Sequence, residues 1–503
     1  MEHVVDTSGL ELQWLKGMPH LSRESQNDVE PSVGNRSILV DKEEEEKPTI
    51  SSQDKEASQA NNDVKCNTNG KLALKVFMYD LPHEFHFGLL DWKPQGRSVW
   101  PDLQTKVPAY PGGLNLQHSI EYWLTLDILA SELPNPPNVR TAIRVQNSSE
   151  ADIIFIPFFS SLSYNRFSKI NPHQKKSNNK LLQDKLVKYV TAQQEWKISG
   201  GRDHLIVAHH PNSLLDGRMK LWPATFILSD FGRYPPNIAN VEKDIIAPYK
   251  HVIKSYVNDS STFDSRPTLL YFQGAIYRKD CRGQESNRSC TDLSVHVVFD
   301  CELGALEMAY IEEMIQHLRR CTDINFLHHL RRTFNGGFVR QELFYLLQDE
   351  KDVHFTFGSV QKDGIKKASQ GMHTSKFCLN IAGDTPSSNR LFDAIASHCV
   401  PVIISDDIEL PYEDVLDYSE SIGMDEWTQM WRRLQEVQKF YEFQYPSKEG
   451  DAVQMIWQAV ARKVPAIRMK LNKSRRFSRS YVRKEKGLSR IPSPSNFCIF
   501  SKE

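Results

Sequence analysis

Short apolar runs, separated by stretches of helical character, begin at Lys75 and recur through most of the chain. The runs lack the apolar–polar alternation of a half-exposed sheet, so they predict strands that are buried on both faces. In the first half of the chain we expect strands at residues 76–79, 153–156 and 205–208. Apolar residues at helical spacing predict helices at residues 116–130 and 180–190. Strands and helices in this order are typical of a parallel sheet with helices on both faces.

The same pattern restarts in the second half of the chain. Strands are predicted at residues 268–272, 377–381 and 400–404, and helices at residues 339–347, 427–441 and 452–463. Two successive α/β units predict two Rossmann-like domains that face each other across a cleft. We expect these domains at residues 71–255 and 256–465. Residues 1–70 contain too few apolar residues to pack and are predicted to be disordered. The basic tail at residues 466–503, Ser-rich after Arg475, is also predicted to be disordered, and a basic binding patch is the alternative.

Composition places the chain among ordinary globular proteins. It has 503 residues, of which 40% are hydrophobic and 25% charged, and its formal net charge is -1. This balance gives no indication of a nucleic-acid partner. The chain as written contains neither a signal-peptide pattern nor a run of the roughly 18 apolar residues that a membrane span requires. These features predict a soluble chain. For residues 1–70, an acidic interaction tail is the alternative to disorder.

The cysteines and glycosylation sequons give weaker indications. Of the eight cysteines, Cys378 and Cys399 lie in apolar runs, which predicts buried free thiols. The absence of any C-x-x-C pair argues against a zinc site. Sequons occur at Asn35, Asn147, Asn258, Asn287 and Asn472. Because such triplets often arise by chance, they support a secretory route only weakly.

The strongest candidate for chemistry is the run at residues 383–393, GDTPSSNRLFD, which we call the donor run. A buried strand ends just before it, and Ser387 or Ser388 is suited to cap a new helix. The amino end of that helix would point at the carboxyl edge of the sheet, where its amides and dipole favour an anion. Ser387, Arg390 and Asp393 are spaced three apart on the side away from the apolar stripe. A guanidinium there can pair with a diphosphate, and a carboxylate can accept ribose hydroxyls.

When spacing alone is considered, a simpler interpretation of the donor run is favoured. A capped amphipathic helix whose Arg390 and Asp393 are solvated has the same pattern. A second basic element follows the strand at 268–272 and comprises Arg278, Lys279 and Arg340, which could neutralise a leaving diphosphate. Considered alone, these three residues are better explained as surface charge.

Several classes of enzyme lack their motifs in this chain. The dinucleotide, P-loop, serine-hydrolase and zinc-protease motifs do not occur. There is also no D-x-D motif, the usual device for holding a metal on a sugar diphosphate. The sequence therefore predicts a site that needs no cofactor or metal and relies on Arg, Lys and helix amides.

The order of motifs along the chain resembles the exostosin-family glycosyltransferases (family 47), in the plant arabinosyltransferase-like branch. The resemblance covers residues 75–476 and includes the donor run. Its other motifs are residues 75–82 (KVFMYDLP), 151–159 (ADIIFIPFF), 201–204 (GRDH), 229–233 (SDFGR), 371–380 (GMHTSKFCLN) and 405–411 (SDDIELP). Because many separate motifs occur in the same order, the resemblance favours a donor site over a solvated surface helix.

The resemblance implies a GT-B-like fold and inverting transfer from a UDP-sugar to a cell-wall polysaccharide or glycan in the Golgi. Other glycosyltransferases are possible partners. Donor-binding residues would be Arg278, Lys279, Arg340, Ser387, Ser388, Asn389, Arg390 and Asp393. Inverting transfer needs a base for the acceptor hydroxyl. We expect that base in the first domain, with Asp203, His204 and Asp230 as candidates, and we interpret the His209–His210 pair as structural.

The chain departs from the family pattern in three places. The usual type II membrane anchor is missing, and an atypical insert occupies residues 281–335. A retained intron or a mispredicted exon is the preferred explanation of the insert, and a genuine helical insertion over residues 303–332 is the alternative. About twenty residues that would form a strand and a helix are expected after Glu420 and are not found. Their loss would expose several buried side chains, each of which contributes ~1.5–3 kcal/mol to the stability of the fold. The alternative function is therefore an inactive family member that serves as a structural partner in a polysaccharide-synthase complex.

Overall fold

A parallel sheet organises the first half of the molecule in the computed structural model. The described residues are 73–134, 140–170, 172–232, 234–276, 295–297, 338–358, 363–383, 385–405, 408–416, 418 and 426–488. The first sheet contains β1 Leu74–Met78, β2 Ala142–Val145, β3 Ile153–Ile156, β4 His204–Val207, β5 Thr225–Leu228 and β6 Ile245–Ile246. Its strand order is β2-β1-β3-β4-β5-β6, and every neighbouring pair is parallel.

Helices cover this first sheet because its strands are apolar on both faces. All four residues of β3, β4 and β5 are buried. The helices are α1 Ile120–Ala130, α2 Ser160–Phe167, α3 Asn178–Ala192, α4 Gln194–Ser199 and α5 Leu215–Leu221. Short 3-10 turns occur at His83–Phe85, Phe87–Leu90, Gly113–His118 and Ser148–Glu150.

A second sheet forms from the later strands. It contains β7 Thr268–Gly274, β8 Val295–Val297, β9 Val353–Phe357, β10 Ser375–Ile381 and β11 Val400–Ile404, in the order β8-β11-β10-β7-β9. Only β8, at one edge, is antiparallel to its neighbour among the described strands. The helices of this half are α6 Phe338–Leu347, α7 Gly364–His373, α8 Asn389–Ala396 and α9 Glu426–Gln438, and a 3-10 turn follows at Lys439–Tyr441.

The last helix, α10 Ala452–Leu488, packs on the first sheet although it follows the second in sequence. Trp457 is fully buried, and its ring meets that of Phe155 edge-on at 5.9 Å between centroids. The Gln454 side-chain oxygen accepts a hydrogen bond of 2.9 Å from the Thr141 amide. The expected domain boundaries had assigned residues 452–465 to the second domain, whereas these contacts join the helix to the first sheet.

A disulfide bond links Cys378 on β10 to Cys399, the residue before β11. The prediction of free thiols at these positions is therefore wrong, although both cysteines are buried as expected. Because β10 and β11 are neighbouring parallel strands, the two side chains lie side by side, and their Cα atoms are 5.7 Å apart. The covalent loop closed by this bond contains the whole donor run and α8.

The parallel α/β class predicted from the sequence is confirmed. Every predicted strand exists, and its observed limits lie within a few residues of those expected. The pattern missed β2, β5, β6, β8 and β9, most of which are short or interrupted by polar residues. The prediction of disorder from residue 466 onward is wrong as far as Leu488, because α10 continues to that residue. Ile467, on this part of α10, is still buried. Residues 1–70, and the insert apart from Val295–Val297, lie outside the described residues.

Within the described part of the chain, no helix has both the length and the apolar character needed to cross a bilayer.

Candidate functional site

The donor run forms the turn and helix start that the sequence predicts. Ser388 is the residue before α8, and its hydroxyl accepts a hydrogen bond of 3.3 Å from the Arg390 amide. The same hydroxyl donates to the side-chain oxygen of Asn380, near the end of β10, at 2.8 Å. These bonds fix the amino end of α8 at the carboxyl edge of the second sheet, where amides and dipole favour an anion.

Arg390 lies along the end of the neighbouring strand β7. Its Nε donates to the Gln273 carbonyl at 3.2 Å, and its guanidinium carbon lies 5.0 Å from the centre of the Phe272 ring. A Cβ atom at Gly274 would overlap the guanidinium, so only glycine permits this close approach. The half-buried positive charge is thus held at the same sheet edge as the α8 amino end.

Two amide side chains beside this edge retain buried polar atoms without a partner among the described residues. They are Nδ2 of Asn380, whose side chain is 2% exposed, and Oδ1 of Asn389. A buried donor without an acceptor costs about 1–3 kcal/mol, and a bound ligand can offset that cost. The sequence reasoning missed Asn380, because its place in an apolar strand gave no polar pattern.

The other predicted cations occupy different surroundings. The Arg340 guanidinium is buried and donates to the carbonyls of Ala275 at 2.9 Å, Ala382 at 3.0 Å and Ile381 at 2.6 Å. It therefore ties the end of β7 to the end of β10. Its part in donor binding stays a prediction, and Arg278 and Lys279 lie outside the described residues.

Ser387 joins the donor run to the first half of the molecule. Its buried hydroxyl donates to Oδ2 of Asp230 at 2.8 Å and accepts from the Tyr249 hydroxyl at 3.0 Å. Asp230 follows the carboxyl end of β5 and is itself buried, and its Oδ1 accepts from the Gly232 amide at 3.0 Å. Of the three candidate bases, Asp230 is thus the one placed beside the donor run.

Asp393 faces the segment between the two sheets rather than open solvent. Its Oδ1 accepts from the Val252 amide at 2.8 Å, and its Oδ2 accepts from the Asn389 side chain at 2.7 Å. Burial, the largest cause, raises the pKa of Asp393 to about 6 despite these hydrogen bonds. Ser387, Arg390 and Asp393 therefore have three different sets of neighbours, and ribose binding by Asp393 stays a prediction.

We expect Asp393→Asn to gain stability relative to the unchanged chain as pH rises. A carboxyl with a raised folded-state pKa stabilises the fold below its unfolded pKa, near 4, and this contribution is lost as pH rises through about 6. Between pH 4 and 7 the relative gain should reach up to about 3 kcal/mol in the free energy of unfolding, measured by denaturant titration. Asp349→Asn, at an exposed carboxylate, is the control. Parallel curves for Asp393→Asn and the unchanged chain would contradict the expectation.

Asp203 and His204 lie at the opposite edge of the first sheet. His204 is the first residue of β4, whereas Asp230 follows the end of the parallel strand β5. The His204 ring is buried, with Nε2 2.9 Å from the Tyr79 hydroxyl and Nδ1 2.7 Å from Oδ1 of Asp203. The structure therefore does not bring this pair together with the donor run, and their role as bases stays a prediction.

A group of histidines at the carboxyl edge of the first sheet was not selected from the sequence. His209 and His210 follow β4, and His118 ends the 3-10 turn before α1. The His118 ring lies 4.6 Å from the His210 ring and 5.0 Å from the Tyr249 ring, between centroids. The only sequence signal was the His209–His210 pair, because His118 is distant along the chain.

Comparisons with known proteins agree with the motif order. Residues 71–426 match the model of the Exostosin GT47 domain. The chain is 31% identical to the probable arabinosyltransferase ARAD1 of Arabidopsis thaliana, over 80% of this chain and 81% of the relative. It is 23% identical to the probable glucuronoxylan glucuronosyltransferase IRX7 of the same plant, over 81% and 79%. It is 28% identical to the probable xyloglucan galactosyltransferase GT17, also from Arabidopsis thaliana, over 66% and 64%.

Proposed function

The chain belongs to the exostosin GT47 family of glycosyltransferases, and from that premise we propose that it transfers a sugar from a UDP-sugar to a cell-wall polysaccharide or related glycan. The transfer inverts the anomeric carbon. The names of the similar proteins include arabinosyl, glucuronosyl and galactosyl transfer, so the donor sugar is arabinose or a related sugar.

The observation that carries this proposal is the position of Arg390. Its cation, the amino end of α8 and the unpartnered amide of Asn380 converge at the carboxyl edge of the second sheet. A charged donor and oriented amides in a half-buried site bind a diphosphate more strongly than solvated groups do. The same groups would stabilise the charge that develops on UDP when the sugar leaves.

We also propose a GT-B-like arrangement, in which the first sheet presents the acceptor to this donor site. Asp230 and Tyr249 contact Ser387, so parts of both halves border the donor run. Because the sequence contains no D-x-D motif, transfer should proceed without a metal, and EDTA should not lower the rate. A Golgi location is consistent with the Cys378–Cys399 disulfide, since such bonds persist in oxidising compartments.

Turnover by the purified full chain tests the proposal. We expect release of UDP from one of the UDP-sugars of arabinose, xylose, galactose or glucuronic acid when an arabinan, xyloglucan or xylan oligosaccharide is present. Mass spectrometry should show an acceptor longer by one sugar. Reactions without acceptor provide the control for donor hydrolysis. A folded chain that neither binds UDP nor extends any acceptor would refute the proposal.

A second candidate function, an inactive structural partner in a polysaccharide-synthase complex, rests on the apolar side of α8. A cavity lies there between α8, the loop before Tyr418 and helix α9, and its lining includes Leu391, Leu410 and Val437. The expected strand and helix after Glu420 would lie next to this loop in sequence. Absence of turnover, together with copurification of another glycosyltransferase, would favour this second function.

A further inference from the structure

We propose that His118 is the catalytic base that takes the proton from the acceptor hydroxyl, and that His209 is the positioning residue that orients it. This inference rests on the proposed glycosyl transfer, because a base is required only if an acceptor hydroxyl attacks the donor.

The hydrogen bonds of His209 determine the tautomer of His118. Nε2 of His209 lies 3.1 Å from the Ala247 carbonyl, which can only accept, so this nitrogen carries a hydrogen. In the neutral ring, Nδ1 of His209 then has the lone pair, and it lies 2.8 Å from Nδ1 of His118. His118 must therefore donate from Nδ1, which leaves the lone pair of a base on its Nε2.

The Nε2 atom of His118 is available for a reactant. Among the described residues its one hydrogen bond is at Nδ1, so no partner there occupies Nε2. The side chain as a whole is only 4% exposed. His118 is thus a buried ring, oriented by a second histidine, with a lone pair on Nε2 that is unpartnered within the described part of the chain. This is the arrangement that positions a general base.

His118 also lies on the side of the first sheet that contacts the donor run. Its ring is 5.0 Å from that of Tyr249, whose hydroxyl is hydrogen-bonded to Ser387 at 3.0 Å. The Lys250 amide donates to the carbonyl of Gln117, the residue before His118, at 3.2 Å. One aromatic ring therefore separates the base from the residue that precedes the α8 cap.

The other candidates either lie far from the donor run, as the Asp203–His204 pair does, or already use their accepting atoms in hydrogen bonds. Both ring nitrogens of His204 have partners, and it lies at the far sheet edge. Both carboxylate oxygens of Asp230 accept hydrogen bonds. His210 accepts the Asn212 amide at Nδ1 with 3.0 Å, so its neutral ring carries the hydrogen on Nε2 and acts as a donor. His118 has neither limitation.

The surroundings keep the resting ring of His118 neutral, so Nε2 carries a lone pair before the reaction. Burial, followed by the neighbouring His210 and His209, holds the pKa of His118 well below its usual range. The titratable groups that face its ring are His209, His210 and the Tyr249 hydroxyl. No carboxylate is among the ring's contacts within the described residues. The acid limb of the pH–rate profile should therefore lie below pH 6.5, the ordinary pKa of histidine.

The reaction step balances as a single displacement. The acceptor hydroxyl gives its proton to Nε2 of His118 while its oxygen forms a bond to the anomeric carbon. The bond from that carbon to the diphosphate oxygen breaks, and its electron pair leaves with UDP at the Arg390 site. The protonated His118 then releases its proton to solvent, which restores the neutral ring.

Replacement of His118 by asparagine in the full chain tests the assignment. An Asn amide N–H can replace the Nδ1–H donated to His209, but the side chain has no basic atom at the Nε2 position. We expect kcat to fall about 10²- to 10⁴-fold while the Kd for UDP, measured by calorimetry, is unchanged. His173→Asn, at an exposed histidine, should behave as the unchanged chain.

A matched pair at His209 tests the orienting role. His209→Asn keeps an acceptor for His118, whereas His209→Leu removes it at similar volume. The Leu variant should lose kcat and shift the acid limb of its pH profile, and the Asn variant should retain most of the rate. Equal losses in both variants would remove the positioning role from His209.

The remaining outcomes separate this inference from the proposed transfer. If the unchanged chain turns over and His118→Asn turns over equally well, the base assignment alone is wrong. If the unchanged chain has no turnover with any UDP-sugar, the proposed transfer and the base assignment both fail. If His118→Asn no longer binds UDP, the rate of His118→Ala is measured with and without added imidazole. Recovery of the rate by imidazole supports His118 as the base, and no recovery overturns that assignment.

Discussion

Arg390→Ala is expected to lower kcat/KM for the UDP-sugar about 100- to 1000-fold, the size of effect seen when one preorganised donor to a developing anion is removed. The guanidinium lies 5.0 Å from the Phe272 ring centre and is half-buried, so water replaces it poorly. Arg390→Lys should recover little, because a single ammonium cannot bond the Gln273 carbonyl and a diphosphate with the same fork geometry.

The measurement is initial-rate kinetics with calorimetry of UDP binding. Arg462→Ala is the matched control, since Arg462 pairs with Asp414 on the surface and has no hydrogen bond to the described residues of the donor run. Thermal melting should show that Arg390→Ala remains folded. Turnover and UDP affinity equal to those of the unchanged chain would remove Arg390 from the donor site.

Loss of the Cys378–Cys399 bond has the second large effect that we expect. Replacing both cysteines by alanine should lower the free energy of unfolding by about 2–5 kcal/mol, because the unfolded chain regains the entropy of an open loop. The cysteines are 21 residues apart and enclose the donor run. The double variant should therefore also show a higher KM for the UDP-sugar, since the disulfide no longer fixes β10 against the start of β11 on either side of the donor run.

Chemical denaturation with and without a reducing agent provides the measurement. Reductant should destabilise the unchanged chain and leave the double alanine variant unaffected. Cys399→Ser separates loss of the bond from loss of volume in the cluster with Tyr271 and Met372. If the denaturation midpoint of the unchanged chain is the same with and without strong reductant, the bond does not stabilise the fold.

Local pattern was sufficient for the elements of the donor run. An apolar strand, a proline and two serines predicted the helix start, and Ser388 is the observed cap. The spacing of Arg390 likewise indicated a cation near the sheet edge, where it lies. Each of these features depends on residues that are close together in sequence, which is the range over which helix and strand periodicity carries information.

Features that depend on distant segments could not be obtained in this way. The sequence does not distinguish the role of Arg340 from that of Arg390. In the structure, however, the guanidinium of Arg340 donates to three backbone carbonyls. The helical spacing of Asp393 predicts that it faces a cleft. In the structure, the Val252 amide, from a distant part of the chain, donates a hydrogen bond to its carboxylate. His118 and His209 are 91 residues apart, and only the folded sheet brings them together.

The return of α10 to the first sheet limits how this chain can be recombined with its relatives. A fragment that ends near residue 255 would lack Trp457, and Phe155 would lose the ring packed against it. Chimeras made by exchanging sequence halves between relatives would join one parent's sheet to the other parent's last helix. Swaps intended to change donor preference should therefore exchange the second sheet alone and keep the first sheet and α10 from the same parent.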